Sequence, residues 1–337
     1  MNAEKEFDIP VVLFIFKRNK IADIIERISE VKPQKLYLIG DYGRNDEENK
    51  LVKECRELAE SKITWPCEVI KNYATENRGV YGNIALGAKW IFDREKYAIF
   101  LEDDNLPEIT FFQFCKEMLL KYENDTRILW ICGTNYLGKY NNKNGDSYMF
   151  TKHLLPCGWA SWSQKFNSMY DEKLSLCDSY ANIERVSKEY YNKKLFNQYR
   201  TYFLQEYDKI KNGLRPASWD YQMDFCIKAN NVYGICPCVN QIKNIGVDDL
   251  SIHGGNSFSN IMTKRFCSMD SYPLSFPLKH PKLVLSDLTF ERKIYKILLY
   301  PFKLRLRIRI STLVKKIFRI SNDVSLKKSF FKKGGEK

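Results

Sequence analysis

Residues 97–101 (Tyr-Ala-Ile-Phe-Leu) have the composition of a buried β-strand, and they run straight into Glu102-Asp103-Asp104. Carboxylates at the end of a buried strand are costly unless positive charge neutralises them. In an α/β sheet, the carboxyl ends of the strands are also where ligands bind. A hard divalent cation such as Mn2+ or Mg2+, held by one or two carboxylates and completed by phosphate oxygens and water, supplies the missing charge. The same residues suit a plainer role. Asp104 or Asn105 would then cap the next helix, with Pro107 in its first turn ahead of Thr110-Phe111-Phe112.

The chain before the acids alternates strand and helix patterns. Residues 9–16 are strongly apolar, and 21–31 place apolar residues at helical spacing. Leu36 to Ile39 is a second buried strand closed by the turn Gly40-Asp41-Tyr42-Gly43, and 46–61 is a helix with an acidic start. A third strand over 67–70 and a helix over 84–92 lead into the acidic strand, and 128–132 is a further strand. This succession predicts an α/β fold, a Rossmann-like mixed sheet flanked by helices. Residues 138–147 are polar and turn-rich. Beyond Thr151 the pattern loosens into a Trp-rich loop around 158–162, a polar helical stretch over about 181–212 and a helix after Ser218. Residues 1–282 read as one domain and 283–337 as a basic amphipathic tail.

Charge sharpens that division. From Phe290 onward there are 15 Lys/Arg against 3 acids, a net of +12, whereas the remaining 289 residues carry 39 basic and 38 acidic side chains. A nearly neutral body argues against a nucleic-acid-binding domain, and no nucleic-acid partner is expected. Ten scattered cysteines form no disulfide framework and suit a reducing compartment. No apolar stretch reaches the about 18 residues of a membrane span, and Val11 to Phe16 is too short for a signal core. The expected location is therefore cytoplasmic.

Several polar residues gather around the acidic strand in this reading. Asp41 is available to accept from a base N–H, or serves only its turn. Arg78, in Asn77-Arg78-Gly79 ahead of Asn83, is set near a diphosphate or is a surface cation. Asp220, between Trp219 and Tyr221, is either a general base beside aromatic faces or a helix cap after Pro216-Ala217-Ser218. Trp159 and Trp162 read as sugar platforms or as core. His153 and His280 are expected on the surface.

Taken in order, Ile9-Pro10-Val11-Val12, Arg18, Asp41, Ala85-Leu86-Gly87, Leu101 to Leu106, Gly158-Trp159, Trp219-Asp220 and Ile252-His253-Gly254 resemble GT-A-fold glycosyltransferases over roughly residues 9–258. The nearest in kind are the N-acetylglucosaminyltransferases that begin hybrid N-glycans and bacterial relatives of the family 2 type. The resemblance implies that Asp104 ligates the metal, and that Glu102 and Asp103 contact the donor's sugar and ribose. It also implies that Asp41 reads the uracil ring of a UDP-sugar and that Arg18 lies against the nucleotide. Arg78, Asn83, Trp159 and Trp219 are expected at the donor site; the resemblance implies that Asp220 is the catalytic base and that His253 lies in a loop closing over the donor, where it ligates the metal, touches a phosphate or only holds its loop. No histidine precedes Ala85-Leu86-Gly87, where the family pattern has one, so the donor stays open. The N-terminal anchor of the eukaryotic members is not expected here.

One base and direct attack predict inversion at the anomeric carbon. The alternative enzyme class, a sugar-phosphate nucleotidyltransferase, wants a glycine-rich loop after the first strand, and Lys17-Arg18-Asn19 has none. A third reading is a nucleotide-sugar- or membrane-binding module without turnover. The tail alternates bulky apolar and basic residues over 290–320. It reads as a segment lying on an anionic membrane surface, the inner face of a bacterial plasma membrane, where a glycan or lipid-linked acceptor for surface polysaccharide would be met. The period-two alternation of 303–310 also permits an extended form, and Pro301 predicts a break.

Overall fold

The computed structural model describes residues 7–247, 263, 266, 267 and 269–318. Among the described residues eight strands form one mixed sheet in the order β3-β2-β1-β4-β8-β6-β9-β7, in which β9 is Tyr233–Pro237. Its first half is parallel: β1 (Val11–Ile15), β2 (Lys35–Gly40), β3 (Glu68–Tyr73) and β4 (Tyr97–Glu102). The crossovers are α1 (Ile21–Val31), α2 (Asp46–Ser61) and α3 (Gly79–Phe92). The register sets Phe14 opposite Glu102, so the loops after β1 and β4 leave the sheet side by side. That is why Arg18 and the acids end up together.

Every residue of β1 is buried, and its alternation feeds two cores. Val12 and Phe14 face α3, whereas Val11, Leu13 and Ile15 face α1 and α4 (Ile109–Lys121). Rings from four adjacent strands stack in a row on the first face. Phe14 lies 5.9 Å from Phe100, Phe100 lies 3.8 Å from Trp159, and Trp159 lies 4.2 Å from Trp130. Aromatic pairs of this kind contribute about 0.5–1.5 kcal/mol each beyond the area they bury.

Four expectations need correction here. Asp104 and Asn105 cap nothing. Asn105–Pro107 forms a short strand, β5, antiparallel to β10 (Ile242–Asn244), and α4 starts later with Glu108 at its N-cap. The supposed loop around Gly158-Trp159 is β8 (Trp159–Trp162), a central strand between β4 and β6 (Ile128–Cys132). Gly158 makes its entry possible. Its φ is +61°, and an added Cβ would lie 2.5 Å from Ile242. The polar helical stretch is two helices, α6 (Tyr180–Lys188) and α7 (Lys193–Lys211), the second capped by Asn192. His153 is buried rather than on the surface, since its ring meets the Glu291 carboxylate at 3.3 Å.

Glu291 lies in α9 (Leu288–Leu298), so the first helix of the basic segment belongs to the core. Phe290, Ile294 and Leu298 bury one stripe, and Asp287 caps the helix. Glu291 accepts from the Thr151 hydroxyl at 2.5 Å and the Lys152 N–H at 3.1 Å, tying α9 to β7 (Tyr148–Thr151). Pro301 separates α9 from α10 (Phe302–Ile317), and the alternating 303–310 segment is helical. Among the described residues no helix is long and apolar enough to cross a membrane.

Candidate active site

A cavity of about 770 Å³ opens at the carboxyl ends of β1, β2 and β4. Arg18, Asp41, Asn83 and the three acids Glu102, Asp103 and Asp104 line it. Trp219 and Asp220, more than a hundred residues further on, line it too.

The acids are held in different ways. Asp103 accepts from the Phe16 N–H at 3.0 Å and from Arg18 at 3.3 Å. Asp104 accepts from Arg18 at 2.5 Å and from the Asn105 amide at 2.6 Å. The Glu102 side chain makes no hydrogen bond among the described residues. Burial, then the Asp104 and Asp103 carboxylates, push its carboxyl well above the ordinary range, and Asp220 adds to this while Arg18 opposes it. The Asn83 side-chain oxygen is buried without a partner among the described residues. A buried wall with an unsatisfied amide oxygen and a destabilised carboxylate is one built to meet something else.

Asp41 is committed to its turn, one of its two readings from sequence. Its carboxylate accepts from the N–H groups of Tyr42, Arg78 and Gly79 at 2.8, 2.7 and 3.0 Å and from the Asn77 amide at 3.3 Å. It therefore fastens the start of α3 to the end of β2, although it still lines the cavity. Burial raises its pKa and these donors pull it back. Arg78 does not reach the cavity: its guanidinium turns to Asn72 at 3.0 Å on β3. Trp159 is also misassigned by sequence, because it is 1% exposed inside the ring stack and lines no part of the cavity. It supports Trp219, whose ring lies 5.8 Å away. Trp162 is core as well, and its indole N–H donates to Leu119. His253 lies outside the described residues.

Asp220 is the first residue of α8 (Asp220–Ala229), and it is not the N-cap. The preceding loop is anchored by Glu206, whose carboxylate takes the Ala217 N–H at 2.7 Å and the Ser218 N–H at 3.4 Å. Ser218 donates its hydroxyl to Asp220. The helix N-terminus favours the ionised form of a carboxylate in this position.

Sequence reasoning missed the cavity's other walls. Gly246 packs so closely that an added Cβ would sit 2.4 Å from an Asp104 oxygen, and the Ile245 N–H donates to the Asp104 carbonyl. Tyr199, Tyr202 and Tyr300 line the far end. A glycine two residues after a short strand is a weak sequence signal, and the tyrosines have no local signature.

The acids can be tested as a metal site. Among the described residues no three His, Cys, Asp or Glu side chains are grouped to hold an ion by themselves. Mg2+-like sites need only one or two carboxylates when phosphates and water fill the shell. The partly open Asp104 and the unbonded Glu102 fit that description.

No family model matches the chain, and no curated protein does. Among solved structures, UDP-glucose pyrophosphorylase complexed with UDP-glucose overlaps it at 11% identity and a TM-score of 0.30, over 48% of this chain and 78% of that one. An apo UDP-glucose pyrophosphorylase overlaps at 9% identity and a TM-score of 0.36, over 70% and 93%. Overlap this slight does not bear on what the chain does.

Proposed function

We propose that the chain is a metal-dependent inverting glycosyltransferase of the GT-A type. In this reading it moves a sugar from a nucleotide-diphosphate donor, a UDP-sugar by preference, to a hydroxyl of a glycan or lipid-linked acceptor. The observation that carries the reading is that the acids ending β4 and the Asp220 carboxylate opening α8 line one cavity. The first supplies a seat for a cation and the second a base, which are the two needs of this chemistry.

A divalent ion on Asp104, with Glu102 beside it, would stabilise the departing diphosphate as a Lewis acid. Asp220 takes the proton of the attacking hydroxyl; Ser218 and the Glu206-anchored loop keep its carboxylate in position. Arg18 holds Asp103 and Asp104 and adds a positive charge facing the donor. Trp219, 5% exposed at the cavity wall, helps exclude water from the reacting centre. Attack from the base side on a bound donor inverts the anomeric carbon. A nucleotidyltransferase is less well supported, since residues 16–20 hold no glycine and the Phe16 N–H is already donated to Asp103.

We assign residues 1–282 together with α9 to the transferase body, and an interfacial role to the basic segment that begins with α10. On α10, Phe302, Leu306, Ile310, Leu313 and Ile317 are all exposed. At helical spacing they fall within about 80° of arc. Lys303 and Arg307 flank that stripe on one side, Arg305 and Arg309 on the other. An outward apolar stripe between two basic borders suits an anionic bilayer surface, the cytoplasmic face of a plasma membrane where surface polysaccharide is assembled.

Calorimetry with a panel of UDP-hexoses, with and without Mn2+, tests the core of this reading. Binding is expected to need the metal and to be lost in Asp104→Ala. Undiminished binding after chelation would overturn it.

A further inference from the structure

The tyrosines at the far end of the cavity have a second surface behind them. Gln198, Tyr202 and Tyr300 line it and also line a second, shallow groove between α7 and α10. The groove's other walls are Lys194, Asn197 and Thr201 on α7, with Arg305, Ile308 and Arg309 on α10. Among the described residues three cations border it and no carboxylate does. Among the described residues none of the three is paired with an acid; the Arg305 Nε donates to the Tyr300 carbonyl at 3.0 Å. At about 30 Å³ the groove admits roughly two water molecules' worth of atoms. A groove this shallow offers surface contact to a small charged group such as a phosphate.

A ladder of rings joins the groove to the proposed base. Tyr221, next to Asp220, stacks on Tyr202 at 4.7 Å and 8°, and Tyr202 meets Tyr300 edge-on at 6.3 Å. Gln198 fixes the ladder's end. Its amide donates to the Leu298 carbonyl at 3.0 Å and accepts from the Tyr300 N–H at 2.8 Å, which locks the α9–α10 junction. Aromatic faces with polar edges suit hydroxylated rings, and guanidinium groups suit phosphate oxygens. The exposed apolar stripe of α10 begins one turn away, at Phe302.

We infer that the acceptor is a saccharide carried on a lipid phosphate or diphosphate. Its terminal sugar lies along Tyr221, Tyr202 and Tyr300, its phosphate sits between Lys194, Arg305 and Arg309, and its lipid enters the bilayer beside α10. This deepens the transferase reading and rests on it, but the groove is tested separately.

Full-length protein is titrated with phosphatidylcholine vesicles bearing either phosphatidylglycerol or polyprenyl diphosphate at equal surface charge. Wild type is expected to prefer the diphosphate vesicles. Arg305→Gln/Arg309→Gln loses that preference, weakening by roughly 30-fold at about fivefold per basic side chain. Lys303→Gln/Arg307→Gln, on the far border of the stripe, weakens binding to both vesicles equally and keeps the preference. Absence of a wild-type preference, or its equal loss in both pairs, overturns the inference. So does groove-dependent binding of inorganic pyrophosphate as tight as that of the lipid, which would make this a free-phosphate site. Groove-dependent binding of single-stranded RNA without any vesicle preference also overturns it. UDP-hexose calorimetry on the same wild-type protein is read independently: its failure removes the transferase reading and leaves the vesicle result standing.

Discussion

Lys17 and Arg18 leave the end of β1 as neighbours and enter opposite electrostatic settings. Lys17 meets Glu48 at 2.8 Å, and Arg44 grips the same carboxylate through its Nε and its backbone N–H, both at 2.9 Å. One carboxylate there answers two cations. Arg18 instead answers both Asp103 and Asp104, with Glu102 and Asp220 close enough to influence one another. The same contrast recurs at Asp224, which is buried but closed: Lys228 reaches it at 2.6 Å and the Tyr190 hydroxyl at 2.5 Å, and Lys228 also donates to the Lys152 carbonyl. A closed cluster spends its charges on the fold. The cluster at the end of β4 keeps a carboxylate unbonded in a cavity, which favours a ligand over stability.

The largest expected effect separates the two kinds of cluster directly. Asp220→Asn should lower transfer by ~10²–10⁴ while nucleotide-sugar binding is retained, as read by turnover and calorimetry on one preparation. Full turnover in this variant would remove Asp220 as the base. Lys228→Met attacks the closed cluster instead and leaves Asp224 buried without its cation, a loss of about 3–5 kcal/mol in stability. Denaturant melts should show Asp224→Leu/Lys228→Met regaining most of that loss. If the double variant is as unstable as the single one, the pair is not the closed unit described here.

This contrast also explains what the chain discloses before it folds. The strands β1, β2 and β4 are continuous apolar runs because both their faces are covered, so the parallel half and its acidic end are legible. β8 is only Trp-Ala-Ser-Trp behind a glycine, and its strand character comes from stacking between Phe100 and Trp130, which no local pattern announces. Arg78 looks like a ligand until β3 brings Asn72 beside it. His153 looks exposed until α9 delivers Glu291 from the far end of the chain. The tyrosine ladder is similarly hidden, being assembled from α7, α8 and the α9–α10 junction. Charge is legible in sequence as a composition; whether it is matched becomes visible only when distant elements meet.

Two smaller effects of opposite sign sharpen the comparison further. Arg44 and Lys17 hold the Glu48 carboxyl well below its usual range. Its contribution is therefore present above the unfolded value of about 4.3 and is lost as pH falls from there toward the lower folded value. Glu48→Gln should cost about 1–3 kcal/mol at pH 7, with the gap between variant and wild type closing in melts taken below about pH 4. Glu102→Gln should act the other way. Its carboxyl is held above the ordinary range by burial and by Asp104 and Asp103, so an acid at this position costs the folded state stability at pH values above its unfolded value. Removing that acid should raise the melting temperature by a few degrees, equivalent to about 1 kcal/mol or less, while weakening metal-dependent donor binding. A cluster shaped for folding would lose stability on such a change. Stability gained as binding is lost is the behaviour expected of one shaped for a ligand, and a lowered melting temperature in Glu102→Gln would put the acids of β4 back among the structural charges.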